Sequence, residues 1–275
     1  MTPNIDNEVV AGFGDEWSRF DQSALADGEL ARMFDNYFNI FPWAKLKADA
    51  VGFDLGCGSG RWAKLVAPRV GKLHLFDASS AALDVAKHNL RGLDNCEFEI
   101  AGVDDIPLAD GSCDFGYSLG VLHHIPDTEA ALRACVVKIK PGAPFLLYLY
   151  YSFDNRPAWF RLIWNMSEVV RGGVSRLPHG FRNAVSQIIA GTVYFPLARM
   201  SLVLEKLGIK VDAFPLSQYR NNSFYVMRND ALDRFGTRLE QRFSKDEIRA
   251  MMKRSGLRDI TFSTTSFWTA VGFKK

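Results

Sequence analysis

The chain has 275 residues, enough for one large domain or one domain with an insertion. Its 48% hydrophobic and 23% charged content is typical of a folded protein, and its net charge of +2 is too small to indicate a nucleic-acid-binding protein. Four cysteines without CxxC spacing and an N-terminus without a leader-like pattern favour a reduced cytoplasmic protein that has no metal site.

Residues 1–48 are expected to form an N-terminal helical cap. Apolar residues at helical spacing from Leu30 onward predict an amphipathic helix, which Pro42 ends. Most of the aromatic side chains here would belong to the core. Because the segment precedes the first strand, it could also fold over a ligand, and Trp17 and Tyr37 are therefore candidate acceptor-binding residues.

The most informative stretch is a buried strand, Val51–Leu55, that runs into a glycine-rich turn, with a helix beginning near Arg61. The amides of the turn are expected to face outward as donors. The spacing G-x-G-x-G differs from the G-x-G-x-x-G of dinucleotide sites. An acid two residues before the first glycine would repel a pyrophosphate but suit an ammonium or a sulfonium. S-adenosylmethionine is thus a better candidate than NAD, and a purely structural turn is the alternative. The candidate cofactor-binding residues are Asp54, Gly56, Cys57, Gly58 and Gly60.

A second strand is predicted at Lys72–Phe76, with Asp77 at its carboxyl end. An acid about 20 residues beyond a glycine turn is placed to accept hydrogen bonds from both ribose hydroxyls, and Ala78 would lie beside it. The alternative is that Asp77 or Ser79 only caps the next helix, Ala81–Leu90.

The third strand, Cys96–Ile100, leads into a loop that would lie beside an adenine ring. Val103 and Asp104 are the candidates there. Asp104 could accept from the exocyclic amine, or its carboxylate could simply be solvated.

The fourth strand, Cys113–Leu119, places Leu119 at the cofactor site and is followed by His123 and His124. Histidine titrates near neutrality, so either one is a candidate general base. The alternative is that one imidazole only packs and bonds to the neighbouring loop.

A helix at Ala130–Lys138 and a fifth strand at Phe145–Tyr150 complete an alternation that predicts a parallel sheet with helices on its faces. Near the C-terminus, Ser244 and Glu247 form a capping box for a helix at Lys245–Ser255. Two antiparallel strands are predicted to follow, at Asp259–Thr264 and Phe267–Phe273.

Residues 151–242 break this rhythm and are expected to form a mainly helical, substrate-binding lid. Helices are predicted at Pro157–Arg171 and Phe181–Leu207. The apolar stretch Val185–Leu204 is a poor transmembrane candidate because a glutamine, a proline and an arginine interrupt it. The segment has 13 Lys and Arg against 7 Asp and Glu, and 11 of the 13 are arginines, which suit carboxylate or phosphate groups. An oligomer interface or plain core is the alternative. The candidate acceptor-binding residues are Tyr151, Trp159, Tyr219, Arg220 and Tyr225.

Taken in order, these motifs resemble those of class I S-adenosylmethionine-dependent methyltransferases. The resemblance covers about residues 45–150 and 243–275. The run Phe-Asp-Leu-Gly-Cys-Gly-Ser-Gly is similar to the family's first motif, Asp77 to its ribose-binding acid, and Leu-His-His-Ile-Pro-Asp to the segment after its adenine loop. The turn Lys-Pro-Gly-Ala is similar to the family's Leu-Lys-Pro-Gly-Gly. One departure is Gly102-Val103, which stands where many members have Asp-Ala as the usual acceptor for the adenine amine.

The resemblance implies a Rossmann-like, mostly parallel seven-stranded sheet with helices on both faces. The methyltransferase core would comprise residues 49–150 and 243–275, with the α-helical insertion at 151–242 after the fifth strand. S-adenosylmethionine would be the cofactor and S-adenosylhomocysteine its product. The acceptor site would be built by the N-terminal segment and the insertion, and some members use a histidine at the position of the His-His pair. The chain lacks the Asn-Pro-Pro-Tyr and Pro-Cys motifs of base methylation, so no nucleic-acid substrate is expected.

The expected function is methyl transfer to an oxygen or nitrogen of a small, acidic metabolite, such as a sugar or a natural product, with no stable membrane insertion. The sequence leaves a homodimer open. One alternative is a module that binds S-adenosylmethionine or S-adenosylhomocysteine without turnover. Another is a methyltransferase that acts on a lipid-linked acceptor at the membrane surface, with the aromatic start of the insertion as an amphipathic segment.

Overall fold

The computed structural model describes residues 3–153, 156–265 and 268–275. The chain forms two compact units. The first comprises Met1–Ser23, Leu30–Ser152 and Leu239–Lys275, and the second comprises Ala24–Glu29 and Phe153–Arg238.

The first unit is built on a seven-stranded sheet. Its strands are β1 (Val51–Leu55), β2 (Lys72–Asp77), β3 (Cys96–Ile100), β4 (Phe115–Leu119), β5 (Pro144–Tyr148), β6 (Leu257–Phe262) and β7 (Thr269–Lys274). Their order is β3-β2-β1-β4-β5-β7-β6. Strands β1 to β5 are parallel, and β7 is antiparallel to both β5 and β6. The order reverses between β1 and β4, so the loops that follow these two strands diverge at the carboxyl edge and leave room for a ligand. This is the predicted Rossmann-like sheet.

The helices of the chain are α1 (Asn7–Arg19), α2 (Asp27–Phe38), α3 (Ala63–Val66), α4 (Ser80–Asn89), α5 (Thr128–Lys138), α6 (Ala158–Val174), α7 (His179–Ile189), α8 (Phe195–Lys206), α9 (Phe224–Gly236) and α10 (Lys245–Arg254). Helices α6 to α9 lie in the second unit, and α2 begins among its residues. The predicted capping box at the start of α10 is present, since Ser244 and Glu247 bond to each other's backbone N–H.

Strands β1 and β4 pack large rings over glycines. Gly52 pairs with Phe115, and Phe53 pairs with Gly116. A Cβ at Gly52 would meet the Phe115 ring at 2.2 Å, and one at Gly116 would meet the Phe53 ring at 2.5 Å. Each glycine therefore makes room for the ring opposite, and all five residues of β4 are buried. Strands covered on both faces favour such continuous apolar runs over alternation.

Most strand boundaries agree with the prediction, and the differences are local. β4 begins at Phe115 and β5 ends at Tyr148, each two residues short of the predicted bound. β6 begins at Leu257 rather than Asp259, because the backbone continues through a positive φ of 52° at Asp259, where the register with β7 shifts. The predicted first residue of the last strand, Phe267, lies outside the described residues.

The second unit contains one long helical stretch, His179–Lys206, in which a π turn at Ala190–Tyr194 joins α7 to α8. The π turn lies just before Pro196, whose missing N–H interrupts the α-helical ladder. By length and composition this stretch is long and apolar enough to cross a membrane, and 22% of its most apolar window is buried. Length and composition alone do not test the expectation of a poor membrane candidate, which stays a prediction. Helix α9 was not predicted, although Ser223 caps its first turn.

Candidate cofactor and acceptor site

Four N–H groups of the glycine turn after β1 donate hydrogen bonds within the fold. Gly56 and Cys57 donate their N–H groups to the Phe76 carbonyl at 2.8 and 3.0 Å, and Gly60 donates to the Cys57 carbonyl at 2.9 Å. The N–H of Gly58 donates to Asp77 Oδ2 at 2.9 Å. The expectation that these amides face outward as donors is wrong, because β2 lies close enough to accept them. These four amides are therefore not available to a phosphate group.

The turn is closed over by neighbouring side chains and requires glycine for conformation and for space. Gly56, Gly58 and Gly60 have φ values of 76°, 53° and 75°, in the region that favours glycine. A Cβ at Gly58 would meet the Trp17 indole at 2.8 Å, and one at Gly56 would meet Val121 at 2.4 Å. The Trp17 side chain, a predicted acceptor-binding group, therefore lies against the turn.

Asp54 is buried at the end of β1 and is 1% exposed. Burial raises the pKa of its carboxyl well above the usual range, and the charge of Asp77 raises it further, whereas the neighbouring Tyr117 hydroxyl and Arg61 favour the ionised form. Among the described residues, neither Asp54 Oδ2 nor Tyr117 Oη has a hydrogen-bond partner of good geometry. A buried acceptor without a donor is costly, so a bound cation at this position would relieve a penalty that the fold carries.

Asp77, at the end of β2, joins two loops. Its Oδ1 accepts from the Ser79 N–H and its Oδ2 from the Gly58 N–H, both at 2.9 Å. Burial raises the pKa of this carboxyl, while the two amide bonds lower it. Ser79, not Asp77, is the cap of α4, because its side chain accepts from Ala82 N–H. A carboxylate has about four acceptor positions, so two remain for hydroxyl donors, and the half-buried Ala78 follows directly.

The loop after β3 is closed by Asp105. Its Oδ1 accepts from the Gly102 N–H at 2.8 Å, and Val103 is buried beside it. The candidate Asp104 accepts from the backbone N–H of Asn4 at 2.6 Å. A donor from the N-terminal segment thus already bonds to the carboxylate that was expected to bind an adenine amine.

Strand β4 ends at the buried Leu119, and a 3₁₀ turn at Leu122–His124 follows. His123 is fully buried, with its ring 3.8 Å from the Tyr150 ring, centroid to centroid. Burial holds the pKa of His123 well below the usual range, and the charges of His124 and Arg242 lower it further. His123 is therefore neutral at physiological pH and is part of the packing in this conformation.

His124 is oriented by a backbone carbonyl. Its Nδ1 lies 2.7 Å from the Leu239 carbonyl oxygen. Since a carbonyl only accepts, Nδ1 carries the proton, and Nε2 carries the lone pair of the neutral ring. This is the tautomer that a general base uses, and it makes His124 the better placed histidine of the pair.

The chain that returns from the insertion holds the histidine turn in place. Gln241 donates its backbone N–H to the His123 carbonyl at 3.0 Å, and its side-chain amide donates to the Ile125 carbonyl at 2.7 Å. Phe243 donates its N–H to the Tyr150 carbonyl at 2.9 Å. The turn, the end of the fifth strand and the return segment therefore form one hydrogen-bonded neck.

The N-terminal segment contacts the loops after four strands. Asn4 bonds to the loop after β3 and also to Asp127, where its side-chain oxygen accepts from the backbone N–H at 2.8 Å. Gly14 lies against Ser79, where a Cβ would meet the hydroxyl oxygen at 2.6 Å. The Phe13 ring is 4.9 Å from the His124 ring. Together with Trp17 over the glycine turn, these contacts cover the carboxyl edge of the sheet, and no pattern in the sequence pointed to Asn4, Phe13 or Gly14.

The remaining predicted acceptor residues of the first unit are Tyr37 and Tyr151. The Tyr37 ring lies 4.9 Å from Trp62 and 5.1 Å from Tyr148, centroid to centroid. The Tyr151 ring lies 5.5 Å from Trp268. Both tyrosines therefore pack among other aromatic rings.

The other four candidates lie in the second unit. Trp159 is 48% exposed on α6, and Tyr219 lies 5.4 Å from Tyr194, ring to ring. Arg220 forms a bidentate pair with Glu205, at 2.9 Å from Nε and 2.8 Å from Nη2. Tyr225 is half-buried near the start of α9. The guanidinium that was expected to bind an acidic acceptor thus already has a carboxylate partner.

The described residues contain no group of three or more His, Cys, Asp or Glu side chains that could hold a metal ion, and their cysteines are unpaired thiols. Burial raises the pKa of the Cys57 thiol well above its usual range. Cys57 is therefore a neutral, packed thiol beside the turn rather than a nucleophile.

A mostly parallel sheet of this order, with a glycine turn after β1 and an acid at the end of β2, defines the class I fold of S-adenosylmethionine-dependent methyltransferases. Residues 53–147 match the family model described as "Methyltransferase domain". Residues 53–147 are therefore similar to a methyltransferase domain, and the first unit has the fold of class I methyltransferases.

The curated proteins that the chain matches include two O-methyltransferases. The "Ubiquinone biosynthesis O-methyltransferase" of Chromobacterium violaceum is 31% identical over 107 residues, which are 38% of this chain and 44% of the relative. The protein of the same name from Xanthomonas oryzae is 26% identical over 140 residues, 50% of this chain and 57% of the relative. The chain therefore spans about half the length of the curated relatives that it matches. A solved methyltransferase from Thermotoga maritima, described as a possible histamine N-methyltransferase, superposes with a TM-score of 0.52 at 13% identity, covering 96% of this chain and 100% of that one. This last likeness shows the fold alone.

Proposed function

We propose that the protein transfers the methyl group of S-adenosylmethionine to an oxygen or nitrogen atom of a small metabolite. The observation that carries the proposal is the buried Asp54 side chain. Its Oδ2 has no hydrogen-bond partner of good geometry among the described residues, and the turn beside it already has the amides of Gly56, Cys57, Gly58 and Gly60 bonded. This polarity suits a cationic amino-acid group and disfavours a pyrophosphate. The match of residues 53–147 to a methyltransferase domain supports the same cofactor.

Different residues of the first unit would bind different parts of the cofactor. The bound cofactor would supply a methyl group on a positively charged sulfur, which is already an electrophile. Asp77 would accept from the ribose hydroxyls with the acceptor positions that Gly58 and Ser79 leave, and Asp54 would accept from the ammonium. Val103 and the loop around it would line the adenine. Alignment of the acceptor with the methyl–sulfur bond would supply most of the acceleration.

His124 is the residue that we assign to proton removal. The Leu239 carbonyl holds the ring in the tautomer with a basic Nε2, and a hydroxyl acceptor needs such a base when it loses its proton. An amine acceptor would need no strong base. Both curated relatives are named as O-methyltransferases, which supports a hydroxyl acceptor. The insertion's basic composition supports an acidic group on the acceptor less strongly, because Arg220 is paired with Glu205.

Calorimetric titration with S-adenosylmethionine, S-adenosylhomocysteine and NAD tests the cofactor. We expect the first two to bind and NAD not to bind; binding of NAD alone would overturn the proposal. Turnover is then measured with labelled methyl groups on paired acceptors: a phenol and an amine, each with and without a carboxylate. Cofactor binding without transfer to any member of the panel would favour the non-catalytic module.

A further inference from the structure

Exposed apolar side chains are concentrated in the second unit. Of the 17 large hydrophobic residues that are exposed among the described residues, only Ile5 and Ile100 lie in the first unit. The other 15 lie between Trp159 and Phe224. Folded proteins rarely expose apolar residues in such a cluster unless the surface has a partner.

Helix α6 exposes an apolar face. Its inward side carries Glu168, which pairs with Arg171 at 2.8 Å and with Arg234 of α9. Its exposed apolar residues recur at three- and four-residue intervals, which places them on one face. They are Trp159, Leu162, Ile163, Met166, Val169 and Val170.

The stretch His179–Lys206 also exposes an apolar face. It buries Arg182, Ser186 and Ser201 as well as the core residues Ala190, Tyr194 and Ala198, and its exposed positions are largely apolar. Phe181, Ile188 and Phe195 recur every seven residues and are between 41% and 69% exposed. A helix that stabilises a fold through its apolar face would bury these residues instead, so the apolar face is built for a partner outside the unit.

The partner is a surface on which the helices lie rather than a membrane that they cross. One side of the long stretch packs against α9 in a small core that contains Ala190, Tyr194 and Ala198. Its Arg199 donates to the Arg220 and Asn222 carbonyls at 2.7 and 3.0 Å. A spanning arrangement would draw these charged groups and the charged residues of α9 into lipid at high cost. An amphipathic helix on the surface keeps them on the aqueous side.

The positive net charge of the second unit favours an anionic surface as the partner. Residues 153–238 contain 12 Lys and Arg against 6 Asp and Glu, a difference of +6, whereas the whole chain has only +2. Arg161 is exposed among the apolar positions of α6, and Lys206 and Lys210 are exposed at the end of α8. A second copy of the chain would bring two such basic surfaces together, while an anionic bilayer neutralises them.

We propose that the exposed apolar face of α6 and of His179–Lys206 docks on the surface of an anionic lipid bilayer. The docking is peripheral and needs neither cofactor nor acceptor. It is therefore tested separately from methyl transfer.

Vesicle flotation of the full chain without cofactor is the experiment. We expect the protein to float with phosphatidylcholine vesicles that contain about 30% phosphatidylglycerol, an anionic surface. Vesicles of phosphatidylcholine alone should bind at least about tenfold more weakly, since each basic residue near an anionic surface strengthens binding about fivefold. Absence of flotation with either vesicle, or equal binding to both, would overturn the proposal.

Two double variants locate the face: L162E with V169E, and F181E with I188E. Each adds two charges at exposed positions, so the fold should be kept, which thermal melting checks. We expect each pair to weaken binding to the anionic vesicles by at least about tenfold, because interfacial binding scales with the apolar area buried. The matched control is I100E, at an isoleucine that is 59% exposed in the first unit, and it should bind as the unmodified protein does.

The oligomeric state separates lipid from a second copy. If the chain is a dimer in solution, if the double variants make it monomeric, and if no vesicles float with it, then the face belongs to a dimer and the proposal is wrong. A monomer that floats, and that loses flotation with the double variants alone, supports it.

Discussion

Asp54→Asn should separate the stability of the protein from its affinity for the cofactor. The substitution keeps the size of a side chain that is 1% exposed and removes its ability to ionise. Because burial raises the pKa of Asp54, the folded chain holds a proton that the unfolded chain has lost above the ordinary carboxyl pKa of about 3.9. The native state is therefore progressively destabilised as pH rises from that value through the raised pKa. Asparagine does not titrate, so the variant's free energy of unfolding should exceed the unmodified protein's by an amount that grows with pH.

The affinity should change in the opposite direction. A hydrogen bond to a charged group contributes about 1.5–3 kcal/mol, which corresponds to a loss of about 10- to 150-fold in affinity when the carboxylate is replaced by an amide. The lower end applies at pH values below the raised pKa, because the unmodified protein must first release a proton there. Its affinity should consequently increase as pH rises through the raised pKa of Asp54, below the ordinary pKa of an α-amino group, while that of the variant stays nearly constant.

The assay is calorimetric titration of both proteins with S-adenosylmethionine and S-adenosylhomocysteine, together with thermal melting over the same pH range. Both ligands carry the ammonium, but only the first carries the sulfonium. Equal losses for the two ligands would place Asp54 at the ammonium, and a loss for S-adenosylmethionine alone would place it at the sulfonium. The reasoning is refuted if the variant binds both ligands as the unmodified protein does, or if it is less stable at every pH.

Three further substitutions test the rest of the site. Asp77→Ala should weaken cofactor binding at least about tenfold, because a carboxylate acceptor is lost. The control Asp84→Ala removes an exposed carboxylate on α4 and should leave the affinity unchanged. Unchanged affinity in Asp77→Ala would refute the ribose assignment. His124→Ala should lower turnover of a hydroxyl acceptor about 10²- to 10⁴-fold in single-turnover assays with cofactor affinity nearly intact, and full activity would remove it as the base. Gly58→Ala should destabilise the protein by about 1–2 kcal/mol because of its φ of 53°, and by more because of the Trp17 contact. Its melting temperature should therefore fall below that of the control Gly142→Ala, where φ is 79° and a Cβ would have no neighbour within 4 Å. Equal losses of melting temperature would show that the Trp17 indole moves aside.

The sheet was predictable because its signals are local. Val51–Leu55 and Cys96–Ile100 were predicted with their observed bounds, since each is a short run of strand formers that ends at a glycine or a loop. The capping box at Ser244 likewise fixed the start of α10. Helix α9 could have been found by the same reasoning, because Ser223 is a cap and Met227, Ala231 and Phe235 follow at four-residue intervals.

The site itself was less predictable, because its contacts join distant residues. The bond from Asn4 to Asp104 spans 100 positions, and no periodic pattern records it. The direction of the turn amides depends on how closely β2 approaches, which is a property of the sheet and not of the glycine spacing. Composition also led to a wrong expectation about the arginines. An arginine that binds an anionic ligand looks the same in sequence as Arg220, whose guanidinium is paired with Glu205.

The hydrogen-bonded neck of the insertion holds the histidine turn within the first unit. Tyr151 and Phe243 form a bridge where the chain leaves and re-enters the first unit, and Phe243 also donates to the Tyr150 carbonyl at 2.9 Å. From that bridge, Gln241 and the Leu239 carbonyl reach the histidine turn directly. The position of His124 is therefore set by residues at the base of the insertion, not by the helices that it carries. Because the two ends are joined by hydrogen bonds, substitutions within α6 to α9 should leave the position of His124 unchanged.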